Sequence, residues 1–319
     1  MKRFAFLLSL TIVLLLATSA SAFGLELLTN GDFESGNGVG FTSQYTYVSA
    51  MGPGALWGEG TYALGTDPAF YHEHWVYGPH GDHTTPGDPA VGKMMIVNGS
   101  TTPGRVIWGS PVVNILANRV YSFSFWGAKT AEAAPPTLDL YINDVKVDTY
   151  YATGALGQWV HYDFHWTSGP ASTAQLKLVS PTLIAGGNDY CLDDFSLDEY
   201  IAPVTVDIKP MSDPNAVNND GHGVIPVAIL GSETFDVATI NPATVALDGM
   251  AVRFRGKSLT AQASYEDYNG DGYLDLIVHI EDVDGTFVAG QTTGTVTGLF
   301  YAGGAFCGTD SLKIVPEAL

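Results

Sequence analysis

Short runs in which apolar and polar residues alternate fill most of this 319-residue chain. Such alternation places every second side chain on the same face of an extended strand. The clearest runs are Lys93 to Val97, Val120 to Trp126, Thr137 to Ile142, Val145 to Tyr150, Trp159 to Trp166 and Gln175 to Val179. Gly, Pro, Asn and Asp separate the runs, and no longer window has helical periodicity, so the pattern predicts an all-β protein.

Two details of these runs make the prediction specific. Asn143 and Asp144 stand between two runs and predict a tight hairpin turn. In the run from Trp159 to Trp166, one face carries Val160, Tyr162, Phe164 and Trp166, while the other carries Trp159, His161, Asp163 and His165. The first face fits a hydrophobic core, and the second fits solvent or a binding surface.

A second series of runs begins after Ile201-Ala202-Pro203, so we place a domain boundary near Ile201. The strand spacing predicts a β-sandwich jelly roll over residues 23–200 and a smaller β-sandwich-like domain over residues 201–319.

Residues 1–22 have the features of a secretory signal peptide. Lys2 and Arg3 precede an apolar run that ends in Ala20-Ser21-Ala22. We therefore expect a secreted protein, cleaved before Phe23, with no membrane span in the mature chain. Only two cysteines are present, Cys191 and Cys307, which either pair or remain buried thiols.

The charge balance excludes one class of function. The chain has 33 acidic and 13 basic side chains and a net charge of −20. A nucleic-acid-binding protein that depends on a broad basic patch is therefore ruled out. An acidic exported protein is suited to calcium and poorly suited to anionic polymers.

Sequence motifs at both ends of the first predicted domain resemble a known module. LLTNGDFESG (residues 27–36) and NDYCLDDFSLDEY (residues 188–200) resemble the two ends of carbohydrate-binding, galactose-binding-like jelly rolls of exported bacterial proteins. Between them, GTYALGTDP, DHTTPG, MMIVNGS, RVYSFSFWGAK and GQWVHYDFHW fit the same resemblance. This similarity implies glycan binding, although the same sandwich also serves adhesive and structural roles.

The resemblance also implies a structural calcium ion where the two ends meet, held by Glu34 and Asp194. Asp32 and Asp193 are further carboxylates at these ends. If the first and last strands are neighbours, the carboxylates repel one another unless a hard cation lies between them. The alternative is that these side chains point to water.

Residues 204–315 resemble a small β domain that is often appended to exported bacterial proteins. The matching segments are VTVDIKP, GVIPVAILGSETFDVATINPATVAL, YEDYNGDGYLDLIVHI and GTDSLKIVP. The biochemical role of that domain is poorly defined, so this resemblance mainly supports export.

A calcium loop is the most specific motif. Asp267, Asn269, Asp271, the Tyr273 carbonyl and Asp275 occupy alternate positions around Gly272, as in loops that wrap one calcium ion. Val278 stands where an EF-hand has its bidentate Glu. Glu266, Asp282 and Asp284 are the acids that we consider for the missing ligand. The alternative is a metal-free Asp/Gly turn.

Histidines cluster in a second segment, where His72, His74, His80 and His83 lie within a Gly/Pro-rich loop. Their spacing matches no standard zinc or copper site, so we favour solvated or hydrogen-bonded side chains over a metal centre.

Sugar binding requires exposed rings that stack on pyranose faces. The candidates are Trp57, Tyr62, Tyr71, Trp75, Trp108 and Trp159, although most aromatic residues of a sandwich belong to its core. We find no nucleophile elbow, metalloprotease helix or phosphate loop, and we expect no enzyme.

These observations favour a secreted, non-catalytic protein that binds a surface or matrix glycan and is stabilised by calcium. One alternative is a structural or adhesive protein that self-associates or binds protein partners through sheet edges, with calcium only structural. A glycoside-active enzyme is a third hypothesis, since paired carboxylates need only meet in space.

Overall fold

The computed structural model describes residues 25–88, 90–132, 136–181, 184–218, 220–288 and 290–315. The predicted signal peptide lies outside these residues. Within them, the regular structure is almost entirely β, as the sequence predicts. The two exceptions in this part of the chain are short 3-10 helices, Pro68–Phe70 and Val237–Thr239. None of the described helices is long and apolar enough to cross a lipid bilayer.

The first half of the chain contains two main sheets and a short strand pair. Its strands are β1 (Thr46–Tyr47), β2 (Thr61–Gly65), β3 (Met94–Asn98), β4 (Arg105–Gly109), β5 (Val113–Asn114), β6 (Val120–Lys129), β7 (Thr137–Ile142), β8 (Val145–Tyr151), β9 (Val160–Thr167), β10 (Thr173–Ala174), β11 (Leu176–Ser180) and β12 (Tyr190–Glu199). One sheet has the order β1-β2-β3-β12-β6-β9, the other has the order β4-β11-β7-β8, and β5 pairs with β10.

The main hydrophobic cluster of this half contains side chains of both sheets. Phe123 and Leu192 of the six-stranded sheet and Leu140 and Leu178 of the four-stranded sheet are fully buried in it. Alternation along each strand sends every second side chain into this cluster, which is the packing expected of a β-sandwich. The predicted hairpin is confirmed, since Asn143 and Asp144 have positive φ angles of 50° and 64° between β7 and β8.

The outer face of the six-stranded sheet is partly covered. A second cluster contains Leu56, Tyr71 and Trp75 from the long segments between β1 and β3, packed on Ile96 and Cys191 of the sheet. Consecutive residues of β3 and β12 therefore enter different clusters. This covering layer positions the candidate site described below.

The second half of the chain has its own sheets. Its strands are β13 (Ile201–Pro203), β14 (Val206–Ile208), β15 (Ala216–Asn218), β16 (Val224–Ile229), β17 (Ile240–Leu247), β18 (Met250–Ala251), β19 (Phe254–Arg255), β20 (Thr260–Ala261), β21 (Ala263–Glu266), β22 (Asp275–Glu281), β23 (Thr293–Phe300), β24 (Ala305–Ser311) and β25 (Lys313–Val315). The sheet orders are β13-β24-β23-β17-β18 and β14-β16-β22-β21, with the pairs β15-β25 and β19-β20.

A separate hydrophobic cluster fills this half, with Val227, Leu247, Val278 and Phe306 among its buried members. β12 ends at Glu199 and β13 begins at Ile201. The two-domain organisation remains a prediction of the sequence.

The cysteines are both buried and both free. Cys191 lies in β12 and Cys307 lies in β24, in different sheets. Of the two alternatives left open by the sequence, the structure has the buried thiols. Burial raises the pKa of each thiol, which keeps both protonated and unreactive at neutral pH.

Candidate ligand-binding cleft and metal loop

Four of the six aromatic candidates for sugar binding are buried. Tyr62 and Trp108 belong to the main cluster, where Trp108 stacks on Phe195 with ring centroids 4.3 Å apart. Tyr71 and Trp75 belong to the covering layer. Their ring faces contact protein, so these four residues cannot stack on a sugar in this structure. The sequence shows which side chains share a face of a strand, but it does not show which faces of the sheet other segments cover.

The other two candidates have accessible ring surface. Trp57 is 59% exposed and lies 5.9 Å from the ring of His72. Trp159 is half-buried at the start of β9 and lines a cleft.

This cleft lies where the loop after the first 3-10 helix meets the end of β6 and the start of β9. It has a volume of about 680 Å³, and its wall includes Tyr77, His80, Glu132, Leu156 and Trp159. A volume of this size is typical of small-ligand sites. Tyr77 is 72% exposed, so two aromatic rings and a carboxylate face the same space.

Glycine allows the two loops of the cleft to approach each other. Gly157 has a φ of 69° and donates its N–H to the carbonyl of Lys129 at 3.0 Å. A Cβ at this position would lie 2.7 Å from the carbonyl oxygen of Tyr77. Only glycine combines this backbone conformation with this close approach.

His80 is held in place by a buried carboxylate. Its Nδ1 lies 2.6 Å from Oδ2 of Asp67, while Oδ1 of Asp67 accepts the N–H of Ala69 at 2.8 Å and caps the 3-10 helix. Asp67 is 4% exposed. Because Nδ1 is already engaged, Nε2 is the ring nitrogen left for a ligand in the cleft.

A partly buried polar network anchors the same loop to β12. The ring of His83 stacks on Trp126 with centroids 3.8 Å apart and meets the edge of Trp159 at 5.9 Å. Its Nδ1 lies 2.6 Å from Oδ2 of Asp194, and its backbone N–H donates to Asp193 at 2.8 Å. The histidine thus supports one of the two rings of the cleft.

Asp193 is fully buried in this network. Burial, followed by repulsion from the neighbouring carboxylates of Asp194 and Asp82, raises the pKa of Asp193 to about 9. The backbone N–H groups of His83 and Asp194 act in the opposite direction.

The two ends of the first half do lie together, although residues 25–36 contain no strand and residues 31–35 form turns. The N–H of Leu27 donates to the carbonyl of Leu197, and the N–H of Phe195 donates to the carbonyl of Gly31. The expected calcium ligands each have a protein partner. Asp194 contacts His83, and Lys93 lies 3.9 Å from the Glu34 carboxylate. Calcium at this junction remains a prediction.

The side chains of the predicted calcium loop mostly accept hydrogen bonds from the loop itself. Asp267 accepts the N–H groups of Gly270 and Gly272, at 2.9 and 3.1 Å. Asn269 and Asp271 accept the N–H two residues further on, both at 2.9 Å. These three oxygen-bearing side chains are exposed and match the ligands that calcium prefers.

Asp275 differs from the rest of this loop because it is fully buried. Its Oδ1 accepts the N–H of Gly231 at 2.8 Å, and its Oδ2 accepts those of Tyr268 and Asn269 at 3.0 and 3.4 Å. Asp275 therefore fastens the loop to the neighbouring β16–β17 connection without needing a metal.

The structure also bears on the missing calcium ligand. Asp282 and Asp284 follow the end of β22, whereas Asp275 begins it. A seven-residue strand spans about 20 Å, and this length separates both acids from the loop. Glu266 pairs directly with Asp275 across β21 and β22 and stays possible as a ligand.

The clustered histidines have different partners. His72 stacks on Trp75 with centroids 4.4 Å apart, His74 is exposed, and His80 and His83 contact separate aspartates. Among the residues that the structure describes, no three His, Cys, Asp or Glu side chains are arranged to hold a metal ion. Calcium in the 267–275 loop remains a prediction.

Sequence reasoning missed two residues of the cleft, Tyr77 and Glu132. Tyr77 lies inside the histidine segment, two residues after the candidate ring of Trp75, and is not among the ring candidates. Glu132 follows β6 as an isolated acid, and nothing in its local sequence indicates a site. Both become notable only because β6 and β9 are neighbours in the sheet.

Comparisons with known proteins give only distant similarities. No protein-family model and no curated protein sequence matches the chain. Similar solved structures include the C-terminal domain of the sugar-binding protein EclA, at 17% identity, 30% of this chain, 68% of that chain and a TM-score of 0.27. A family 16 carbohydrate binding module has 18% identity, 54% and 98% coverage and a TM-score of 0.31. A Stig cyclase from Fischerella sp. TAU has 11% identity, 56% and 98% coverage and a TM-score of 0.37. Scores this low assign no function.

Proposed function

We propose that this is a secreted, non-catalytic protein that binds a glycan in the cleft between the 76–87 loop and the start of β9. The cleft itself carries the proposal. It joins the rings of Tyr77 and Trp159 with the hydrogen-bonding groups of His80 and Glu132. Rings bind the apolar faces of sugars, and a few polar groups bind hydroxyls and set orientation.

The acid content of the cleft supports a binding role over glycoside hydrolysis. Glu132 is the only carboxylate among the described residues that line it. Glycosidases of the common kind need two carboxyl groups that flank the scissile bond. The buried Asp67 is occupied by His80 and by the helix cap, so it does not supply the second group.

Export and calcium are parts of the same proposal. The signal-peptide pattern of residues 1–22 supports secretion. The exposed oxygens of Asp267, Asn269 and Asp271, with the Tyr273 carbonyl, would hold a calcium ion that stiffens the loop before β22. Asp275 would then act as a backbone anchor instead of a direct ligand.

A glycan-array screen of residues 23–319, with calcium and then with chelator, tests this function. We expect selective binding to one sugar class. In titrations with the best ligand, Tyr77→Ala should weaken binding about two- to tenfold, since a stacked ring contributes about 0.5–1.5 kcal/mol. Trp57→Ala is the matched control, because it removes another exposed ring that lies outside the cleft wall, and it should bind normally.

A folded protein that is silent across the array would reject glycan binding. The structural or adhesive alternative would then gain support from β21. All four residues of this edge strand, Ala263–Glu266, are exposed, and their free backbone groups can pair with another chain.

A further inference from the structure

The charges around the cleft narrow the class of glycan. Among its described lining residues, the cleft has the Glu132 carboxylate and no Lys or Arg. We infer that it selects glycans with free amino groups, that is, sugars that carry an ammonium group. This inference rests on the proposed function and specifies its ligand.

An ammonium group would satisfy the cleft in two ways. The exposed Glu132 carboxylate can form a charge-assisted hydrogen bond with it. The rings of Tyr77 and Trp159 attract a cation through their π faces. An acetylated amino sugar retains a ring face for stacking but loses the charge. Only a sugar with a free ammonium group contacts both the rings and the Glu132 carboxylate.

His80 adds a directional contact. With Nδ1 engaged by the buried Asp67, Nε2 of His80 is the ring nitrogen left for a sugar hydroxyl, which can donate or accept a hydrogen bond. The Glu132 carboxylate is the one anionic acceptor among the described lining residues. Ligands that donate an N–H to this carboxylate match the cleft, whereas uronic or sulfated sugars would place an anion against it.

The electrostatic field of the whole chain also favours cationic ligands. A net charge of −20 draws cationic polymers towards the surface and repels anionic ones. Because such steering is screened by salt, affinity for an amino glycan should fall as ionic strength rises, and affinity for a neutral glycan should stay nearly constant.

Calorimetric titration of the mature protein with oligosaccharides of equal length tests the inference. The probes are a glucosamine oligomer, its N-acetylated counterpart and a neutral glucose oligomer, at mildly acidic pH and at two ionic strengths. We expect the glucosamine oligomer to bind at least about tenfold more tightly than the other two. Glu132→Gln should remove most of this preference while retaining binding to the neutral oligomer. Glu233→Gln removes an exposed charge in the second half of the chain and should leave the preference intact.

The outcomes separate the two proposals. Equal or tighter binding of the neutral or acetylated oligomer would overturn the amino-sugar inference and leave the proposed function standing. A preference that survives Glu132→Gln would also overturn it, because the charge would then be recognised elsewhere. Absence of binding to any glycan, including those of the array, would reject the function and the inference together.

Discussion

The buried carboxyl of Asp193 makes the stability of the network behind the candidate cleft depend on pH. Its pKa is raised to about 9, so the folded protein holds a proton here that the unfolded chain releases above about pH 4. Stability from this group is therefore fully present below about pH 4 and is lost as the pH rises towards 9.

Asp193→Asn tests this dependence. Between about pH 5 and about pH 8, the unfolding free energy of the wild type should fall more steeply than that of the variant, by up to ~1.4 kcal/mol per pH unit. Urea denaturation at both pH values measures the difference. Parallel pH profiles would show that Asp193 stays ionised, held by the N–H groups of His83 and Asp194.

Gly31 occupies a position where the packing leaves no space for a side chain. A Cβ there would overlap the carbonyl oxygen of Phe195, a backbone atom of the closing strand. We expect Gly31→Ala to separate the start of the chain from β12 and to lower the unfolding free energy by about 2 kcal/mol or more. Gly58→Ala, whose nearest neighbour would be 3.4 Å away, is the matched control and should change it little. Equal stability of the two variants in urea would contradict the packing described here.

At the scale of an element, the loop from Asp267 to Asp275 separates metal binding from folding. Asp271 is exposed and accepts hydrogen bonds from Asn269 and Tyr273 of its own loop, whereas Asp275 is buried and accepts three backbone N–H groups. Substitution of Asp271 and substitution of Asp275 should therefore have different effects on thermal stability.

Thermal melts with calcium and with chelator distinguish them. Asp271→Ala should remove the stabilisation that calcium provides while leaving the chelated protein as stable as the chelated wild type. Asp275→Ala should cost about 3 kcal/mol with or without calcium, since it leaves buried donors unpaired. If calcium does not shift the wild-type melt, the loop is a metal-free turn, and only the second expectation survives.

At the scale of the whole molecule, the two halves have separate hydrophobic clusters: the main cluster and the covering layer lie before residue 200, and another cluster lies after it. If each half folds on its own cluster, calorimetry should resolve two thermal transitions. Trp108→Ala should lower the melting temperature of only one transition, and Phe306→Ala that of only the other. Each substitution should reduce the unfolding free energy of its own half by about 3–5 kcal/mol. A single transition that shifts equally with both substitutions would show that the halves unfold together.

The local order of residues determined a large part of this structure. Alternation predicted the strands, Asn143 and Asp144 predicted a hairpin, and the two faces of Trp159 to Trp166 divide as expected, with Phe164 against the core and His165 exposed. These features depend on contacts between residues close in the chain and on the two-residue period of a strand. Both can be recognised from the order of residues alone.

Tertiary structure alone decided which side chains are free to act. Trp75 and Trp57 look alike in sequence, yet the covering layer buries the first and leaves the second exposed. Glu132 and Tyr77 are distant in the chain and meet because β6 and β9 pair and the histidine loop folds over them. Such a site is made by long-range strand order and by the layer that covers a sheet face, which no local pattern of residues specifies.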